Sequence, residues 1–371
     1  MKLPLLITLL SVQLWSQPEQ KVLELNRMDS LLTRDAKTIL DKGVSQNQII
    51  FLGESEHHIG SDLLAKTEFV KYLVVQHNIK NIVFEADFFA LYFEHDKRNV
   101  YPLWSQSDQC EELFKFLDSE QVTIWGMDSN FSSPYSFQFF YKKLFEYLDL
   151  NKISYSKEFK GEVLAIMENG SKVEKVLSKA QLQHLFTDID NLQQIAIIKE
   201  NKLWYQIIES FKAVATKYTS NRDLGILHRD RQMASNLNFL AHELTDSKLI
   251  VWAANAHISK LDLPFMKNKT MGYQFREINP NKSYHIAFSS IKMPYRKSKF
   301  IESQRSNPDN LLNLLPGISS NYILESIAFS TEERSKSYAG MFGLMREKTP
   351  YLNHFDALVF ISEGSRNSYF K

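Results

Sequence analysis

Short apolar runs alternate with longer segments of helical periodicity in the first part of the chain. Residues 48–54 (QIIFLGE) and 81–87 (NIVFEAD) are short and mostly apolar, as is typical of buried strands. The segment between them, residues 61–78, repeats its apolar residues at helical spacing and starts with a serine and an aspartate that can cap a helix. A strand–helix–strand unit of this length predicts two parallel strands of one sheet.

The same pattern recurs later, after a long interruption in the middle of the chain. Between about residues 136 and 245 the strand-like runs disappear, and Leu182, Leu185 and Ile189 illustrate the helical period that replaces them. Outside this region the pattern predicts two more helices and several more strands. The helices are residues 22–43 and 108–119, and the strands are residues 122–128, 248–257, 284–290, 321–329 and 356–362.

These patterns predict an α/β fold, with a largely parallel sheet flanked by helices and a large helical insertion or cap over about residues 136–245. The N-terminus has Lys2, a short apolar run, and then small and polar residues from Ser16, which is typical of a secretory signal peptide. The alternative is an uncleaved anchor helix, although the run is short for a bilayer. We expect residues 1–17 to be removed on export to the periplasm or out of the cell, and residues 18–371 to form the α/β domain.

Composition narrows the class of function. The chain has 371 residues, 44% of them hydrophobic, and a formal net charge of +1, so it can fill a large core but has no overall field for nucleic acid or anionic membranes. Its single cysteine, Cys110, excludes an intramolecular disulfide, and nothing near it in the sequence would lower its pKa. We expect a small-molecule substrate, no nucleic acid, no integral membrane segment after signal removal and no protein partner.

Charged and imidazole side chains follow several predicted strands at the point where each strand ends. In open parallel sheets, ligands bind in the crevice beyond the carboxyl ends of the strands, so these side chains are expected to share one crevice. Buried carboxylates are also costly unless they are paired, so their repeated presence needs a reason. The residues are Glu54 and His57 after the first strand, Glu85 and Asp87 on the second, Asp128 on the third and His257 after the fourth.

Glu54 and His57 follow Gly53 and are three residues apart, so they can converge on one point. A neutral histidine beside a carboxylate is a good candidate for a general base, because the carboxylate sets the tautomer and supports the imidazolium. The alternative is that Glu54 only caps the next helix, while His57 and His58 lie on the surface.

Glu85, His257 and Arg229 each allow a functional and a structural interpretation. Glu85 is a lone acid in an apolar strand and belongs either to the site or to a buried ion pair with Lys66 or Arg229. His257 belongs either to the site or to the core as a hydrogen-bonded histidine. Arg229 and Asp230 are expected to open an amphipathic helix, where the arginine is either a solvated charge or a group that holds an oxyanion or a carboxylate.

Six of these strings occur in one order over about residues 46–361, and together they resemble the erythromycin esterase family. The pattern is G-E-x-x-H after a strand, a basic residue one helix later, a glutamate ending the next strand, an R-D-x-x-M-A-x-N helix, N-A-H and then M-G. They are Gly53-Glu54-Ser55-Glu56-His57, Lys66, Glu85, Arg229 to Asn236, Asn255-Ala256-His257 and Met271-Gly272 in this chain.

The resemblance implies a metal-independent hydrolase of a macrolide lactone ester, in which His57 activates water and Glu54 orients His57. The chain departs from the family at three positions. Ala254 replaces the first histidine of A-H-N-A-H, Lys66 stands where arginine is frequent, and His58 replaces a glycine. The predicted catalytic residues are His57, Glu54, Glu85 and His257, and the predicted substrate-binding residues are Lys66, Arg229 and Asp128.

We therefore expect hydrolysis of an ester or lactone of a small molecule by water activated at His57, without a cofactor. Two alternatives follow from the wider superfamily that this family resembles, which includes Tiki-type metalloproteases and haem-binding ChaN-like lipoproteins. The first is a metal-dependent hydrolase or peptidase, with Glu54, His57, Glu85 and His257 holding a divalent metal. The second is an exported protein that binds haem or a similar ligand and catalyses nothing.

Overall fold

The computed structural model describes residues 21–245, 247–263, 269–295, 298–340 and 348–369. The signal peptide expected over residues 1–17 lies outside these ranges and stays a prediction. In the described part of the chain, no helix combines the length and apolar character needed to cross a membrane.

Eight strands form one sheet in the order β1-β7-β8-β6-β2-β5-β3-β4. Every neighbouring pair from β8 to β4 is parallel, whereas β1 and β7 form an antiparallel edge. The prediction of a largely parallel sheet is confirmed. The strands are Val22–Leu25 (β1), Ile49–Glu54 (β2), Asn81–Asp87 (β3), Thr123–Asp128 (β4), Leu249–Ala254 (β5), Ser283–Lys292 (β6), Asn321–Glu325 (β7) and Ala357–Glu363 (β8).

Helices cover both faces of the sheet. Ile49 and Phe51 of β2 pack into the core on the face that also holds the middle of the chain, while Ile50 and Leu52 pack into the core on the opposite face. This alternation follows from the two-residue period of a strand, and burial on both faces explains why the runs are apolar throughout. The helices are Arg34–Gln46 (α1), Gly60–His77 (α2), Phe88–Phe93 (α3), Pro102–Ser105 (α4), Glu111–Ser119 (α5), Pro134–Leu150 (α6), Lys157–Asn169 (α7), Lys179–Gln194 (α8), Ala196–Glu200 (α9), Lys202–Thr219 (α10), Arg222–Glu243 (α11), Asn255–Ile258 (α12), Met271–Ile278 (α13), Ser298–Ser306 (α14), Thr331–Ser335 (α15) and Tyr351–His354 (α16).

The predicted helical insertion is confirmed as helices α6 to α11. Serine or asparagine caps most of these helices, and each cap accepts a hydrogen bond from a backbone amide of the first turn, as at Ser178 and Asn221. Leu182, Leu185 and Ile189 are buried on one face of α8, as their spacing predicted. The insertion packs on the sheet through α11, because the side-chain amide of Asn236 donates to the carbonyl of Met127 at 2.9 Å.

Four boundaries differ from the prediction, one of them at the strand predicted over residues 321–329, which ends at Glu325 as β7. Residues 22–25 form a strand against β7, and the first helix starts only at Arg34, capped by Thr33. The fourth predicted strand, 248–257, ends at Ala254, and its last residues begin α12. Arg229 lies two turns inside α11, which begins at Arg222, and does not open the helix. In each case the apolar pattern is compatible with both the predicted and the observed boundary. Pairing with a distant strand or a capping residue earlier in the chain decides which of the two forms.

The last described residues return over the start of α2. These residues, 364–369, form the C-terminal tail. The backbone amide of Gly60 donates to the carbonyl of Ser365 at 2.8 Å, and the backbone amide of Asp108 donates to the carbonyl of Ser368 at 2.9 Å. A β-carbon at Gly60 would lie 2.8 Å from the carbonyl oxygen of Arg366, so glycine permits this close approach. The tail therefore joins the turn after β2 to the segment before α5.

Candidate active site

The carboxyl ends of β2, β5, β3 and β4 lie side by side, and most of the predicted site residues are found there. Glu54 ends β2 and is paired with Ala254, the last residue of β5. The backbone amide of Ala254 donates to Oε2 of Glu85 on β3 at 3.1 Å. The parallel sheet thus places two carboxylates from distant parts of the chain on either side of one strand end.

Glu54 is fully buried and contacts two basic side chains. Its Oε1 lies 2.8 Å from Nδ1 of His57, and its Oε2 accepts a hydrogen bond from Nζ of Lys66. Glu54 does not cap the next helix, because α2 begins after Ile59 without a side-chain cap. At the neighbouring Gly53, a β-carbon would lie 2.6 Å from the side chain of Ile258, so glycine lets α12 pack against β2.

Lys66 is enclosed completely. Its Nζ also donates to the carbonyl of Ala253 at 3.3 Å and lies 3.8 Å from the centre of the Trp252 ring. Burial lowers the pKa of Lys66, and the charge of Glu54 opposes this effect. Because the amine has no exposed surface, it can act on a substrate only through its field and through Glu54.

His57 is the most accessible member of this group, with 34% of its side chain exposed. The edge of Trp104 packs against it, with ring centres 5.4 Å apart. Burial favours a lower pKa for His57, but the hydrogen bond and charge of Glu54, followed by the charge of Glu85, outweigh it and raise the pKa above 6.5. The charge of Glu85 raises the pKa of His57 and that of His257 lowers it, which indicates that the three groups lie near one another.

Arg229 links two further strand ends. Its Nη2 lies 2.7 Å from Oε1 of Glu85 and 2.7 Å from Oδ2 of Asp128, and its Nε also reaches Asp128 at 3.1 Å. Burial by itself would raise the pKa of Asp128, but the charge of Arg229 lowers it. For Glu85 the charges of His257 and Arg229 likewise overcome burial and lower the pKa. Both acids are therefore ionised, and the ion pair considered for Glu85 is present with Arg229, not Lys66.

His257 forms a second carboxylate–imidazole pair. Its Nδ1 lies 2.9 Å from Oδ1 of Asp230, while its Nε2 lies 3.3 Å from Oε1 of Glu85 and 3.1 Å from Nη1 of Arg229. Burial and Arg229 oppose protonation, but the two carboxylates prevail and raise the pKa of His257 to about 9. His257 is therefore an imidazolium at neutral pH.

Asp87, which the sequence grouped with the strand-end residues, lies outside the site. Asp87 accepts hydrogen bonds from the amides of Ala90 and Ser133, so it caps α3 and anchors the loop before α6. The register between β3 and β4 shifts after Phe84. Because of this irregularity, the side chains of Asp87 and Glu85 contact different parts of the structure. His58 is exposed.

Sequence reasoning missed four residues of this region. Asp230 contacts His257 and accepts a hydrogen bond from the backbone amide of Met271 at 3.0 Å. Its position next to Arg229 in the R-D pair could have indicated a role in the site. The hydroxyl of Tyr101 and the amide of Asn130 donate to Asp128 at 2.7 and 2.9 Å, and Nζ of Lys217 donates to Asn130 at 2.8 Å. No signal in the sequence singled these three residues out.

The residues considered as metal ligands are already paired. Within the described ranges, no three histidine, cysteine, aspartate or glutamate side chains are placed to hold a metal ion. Glu54 is bound to Lys66, and Glu85 is bound to Arg229. A metal centre built from Glu54, His57, Glu85 and His257 would require these ion pairs to open.

The fold and the strand-end constellation define an α/β protein of the erythromycin esterase class. The sequence profile described as erythromycin esterase matches residues 83–313, which is more than half of the chain, so the protein belongs to this family. The matched range includes Glu85, Asp128, Arg229 and His257.

Relatives extend the similarity over most of the chain. A Bacillus subtilis (strain 168) protein described as "Putative hydrolase YbfO" is 22% identical over 370 aligned positions, covering 83% of this chain and 82% of that protein. A solved Bacillus cereus structure matches with a TM-score of 0.71 at 18% identity, covering 92% of this chain and 94% of the other. A histidine-to-asparagine mutant of the erythromycin esterase EreC in its open conformation matches with a TM-score of 0.71 at 15% identity, covering 94% and 99%. At these identities the solved structures establish the shared fold.

Proposed function

We propose that this protein hydrolyses an ester or lactone of a small molecule with a water molecule activated at His57. The observation that carries the proposal is the Glu54–His57 pair, because an accessible imidazole with its Nδ1 2.8 Å from a buried carboxylate is arranged as a general base. Membership of the erythromycin esterase family and the similarity to a protein described as a hydrolase support the hydrolase class.

Each group has a distinct part in the proposed reaction. Nε2 of His57 takes a proton from water as the water oxygen bonds to the carbonyl carbon, and the carbonyl electron pair moves onto oxygen. Glu54 stabilises the imidazolium that forms. The C–O bond to the leaving alcohol then breaks, and the alcohol oxygen takes the proton back from Nε2. The products are a carboxylic acid and an alcohol.

The positive groups across the crevice suit the developing oxyanion. Arg229 and the protonated His257 are held in place by Glu85, Asp128 and Asp230, so they need no rearrangement when the charge forms. Glu85 is the shared partner of both cations and has a positioning role. Lys66 forms an ion pair with Glu54 from within the core.

A panel of esters and lactones tests the proposal. We expect His57→Ala to lower kcat/KM by about 10²- to 10⁴-fold, the range typical of a lost general base. The matched control is His58→Ala, because His58 is the exposed neighbour on the same turn. Equal turnover by the wild type and His57→Ala, or no turnover of any ester or lactone by the wild type, would contradict the proposal.

A further inference from the structure

A second cavity lies at the opposite edge of the sheet from the candidate active site. Its volume is about 580 Å³, and its wall includes residues just before β2 and β8, the first residues of β6 and the end of the antiparallel strand β7. Strand β2 begins beside this cavity and ends at Glu54, and six residues of strand span roughly 20 Å. The cavity is therefore separate from the crevice that holds His57 and His257.

Ionisable side chains form a large part of the wall of this cavity. Three are basic and two are acidic, and they are Lys42, Lys260, Arg276, Glu325 and Asp356. Nζ of Lys260 lies 2.6 Å from Oδ1 of Asp356, and Nζ of Lys42 lies 3.8 Å from Oε2 of Glu325. Each acid of the wall thus has a lysine beside it, and the third basic side chain is left as a surplus positive charge.

Arg276 of α13 supplies this surplus charge. Its Nη1 donates to the carbonyl of Lys260 at 3.5 Å, which is long for a hydrogen bond. Within the described ranges, the guanidinium has no acid at ion-pair distance. A guanidinium has five N–H donors, so most of those on Arg276 are available to a ligand in the cavity.

The rest of the wall combines amide groups with apolar surface. Asn47 and Asn281 contribute side-chain amides, and Tyr284 and Ile327 contribute apolar surface. A β-carbon at Gly43 would lie 2.8 Å from the ring of Tyr284, so glycine lets this ring lie close against α1. The cavity therefore offers hydrogen-bond donors, acceptors and apolar carbon to one ligand.

We propose that this cavity binds a sugar acid, which is a small molecule with several hydroxyl groups and one carboxylate. A hydroxyl group both donates and accepts, so the hydroxyl groups of the ligand can bind the acids and the lysines of the wall while the two ion pairs stay closed. The planar fork of the Arg276 guanidinium matches a carboxylate. The volume of about 580 Å³ lies within the range of small-molecule sites, which runs from roughly 300 to 1,000 Å³.

Matched ligands test this proposal by isothermal titration calorimetry, which needs no ester turnover. The pairs are D-glucuronate with D-glucose, D-galacturonate with D-galactose and D-gluconate with D-glucitol, and in each pair a carboxylate replaces a CH2OH group. Acetate is a further probe, because it has the carboxylate without the hydroxyl groups. We expect the wild type to bind at least one sugar acid about ten- to a hundredfold more tightly than its neutral partner and than acetate.

Variants of the surplus cation show whether the ligand occupies this cavity. Arg276→Gln should abolish the preference for the acid over its neutral partner, and Arg276→Lys should retain part of it, because lysine keeps the charge but not the fork. Arg276 is exposed, so these variants are expected to fold. The matched control is Lys282→Gln, which removes an exposed lysine that lies beside the cavity but is not part of its wall, and it should leave the preference unchanged.

A variant of the candidate active site separates the two sites. His57→Ala should bind the sugar acid as the wild type does, because His57 lies at the other edge of the sheet. Loss of binding in His57→Ala would place the ligand in the active site and overturn the proposal. Binding of none of the three acids by the wild type, an unchanged preference in Arg276→Gln, or equal affinity for acetate and the sugar acid would overturn it as well.

Discussion

At the scale of single residues, the site depends on which charges surround each imidazole. His57 has one carboxylate on Nδ1, and the pKa of His57 is raised. His257 lies between Asp230 and Glu85, and its pKa is raised to about 9. The two histidines of one crevice thus differ in their surroundings, because His57 contacts one carboxylate and His257 contacts two.

Glu54→Gln tests the coupling between Glu54 and His57. Removing the carboxylate charge removes the main effect that raises the pKa of His57, so burial then lowers it. A general base works in its neutral form, and its activity is lost as the pH falls through its pKa. We therefore expect the acid limb of the kcat/KM–pH profile to move to lower pH in Glu54→Gln, together with a lower plateau because the imidazolium loses its support.

The measurement is the pH dependence of kcat/KM for a neutral ester between pH 4 and pH 9. Glu56→Gln serves as the control, since Glu56 lies on the same turn and contacts the hydroxyl of Tyr295, outside the site. An acid limb that stays at the wild-type position in Glu54→Gln would show that Glu54 does not set the pKa of the base.

At the scale of elements, the turn that carries His57 is held by the C-terminal tail. The backbone amide of Asn367 donates to the carbonyl of His58 at 2.9 Å, and its side-chain amide donates to the carbonyl of Leu103 at 2.9 Å. Leu103 immediately precedes Trp104, whose ring edge contacts His57. One asparagine therefore joins the turn of the base to the helix that packs against it.

Asn367→Ala is expected to lower kcat for a neutral ester by roughly tenfold, with little change in KM, because a loosened base is less often in its productive position. If Asn367 had only a structural role, Asn367→Ala would lower the free energy of unfolding but would not move the acid limb of the kcat/KM–pH profile. Asn367→Asp should have a higher kcat than Asn367→Ala, since the aspartate carboxylate can still accept the hydrogen bond from the hydroxyl of Ser107. Wild-type kcat in Asn367→Ala would contradict a positioning role for the tail.

Prediction from sequence succeeded for some elements and failed for others. The strands of the parallel core were predicted because burial on both faces leaves uninterrupted apolar runs. Strand β1 was missed because its four residues, VLEL, also fit the helix predicted over residues 22–43, and they acquire strand structure only by pairing with β7, about 300 positions later in the chain. Asp87 was grouped with the site residues because it ends a predicted strand, but the register of β3 is irregular after Phe84 and Asp87 caps α3 instead.

At the scale of the whole molecule, Arg229 joins the helical insertion to the sheet. It is carried by α11, and it pairs with acids on β3 and β4, all of them largely buried. The shared crevice could be predicted because the carboxyl ends of parallel strands must meet at one edge. Asp230, Asn130 and Lys217 could not be predicted in the same way, because their place in the site depends on how the insertion docks.

Arg229→Met should destabilise the protein by about 3–5 kcal/mol at neutral pH, because Glu85 and Asp128 would remain as buried charges without their cation. In the wild type these carboxyl groups have lowered pKa values, so their contribution to stability is present above about pH 4.5 and is lost at lower pH. In the variant their pKa values rise, and they can be protonated before the protein unfolds. The deficit should therefore narrow as the pH falls from 7 towards 4.5.

Urea denaturation at pH 7 and pH 5 measures this difference in the free energy of unfolding. Arg231→Met is the matched control, because Arg231 is exposed on the same helix, and its effect should stay within about 0.5 kcal/mol. A deficit that is the same at both pH values would show that lost packing, not unpaired charge, accounts for the effect of Arg229→Met.

The lone cysteine has a practical consequence for testing whether the insertion moves. Cys110 has no exposed surface, and burial raises the pKa of its thiol to about 12, so it is a poor target for thiol reagents. Cysteines introduced at Leu150 of the insertion and Val75 of α2, both well exposed, could carry a fluorophore pair without removing the native thiol. Energy transfer between them would show whether the distance between the insertion and α2 changes while substrate is turned over.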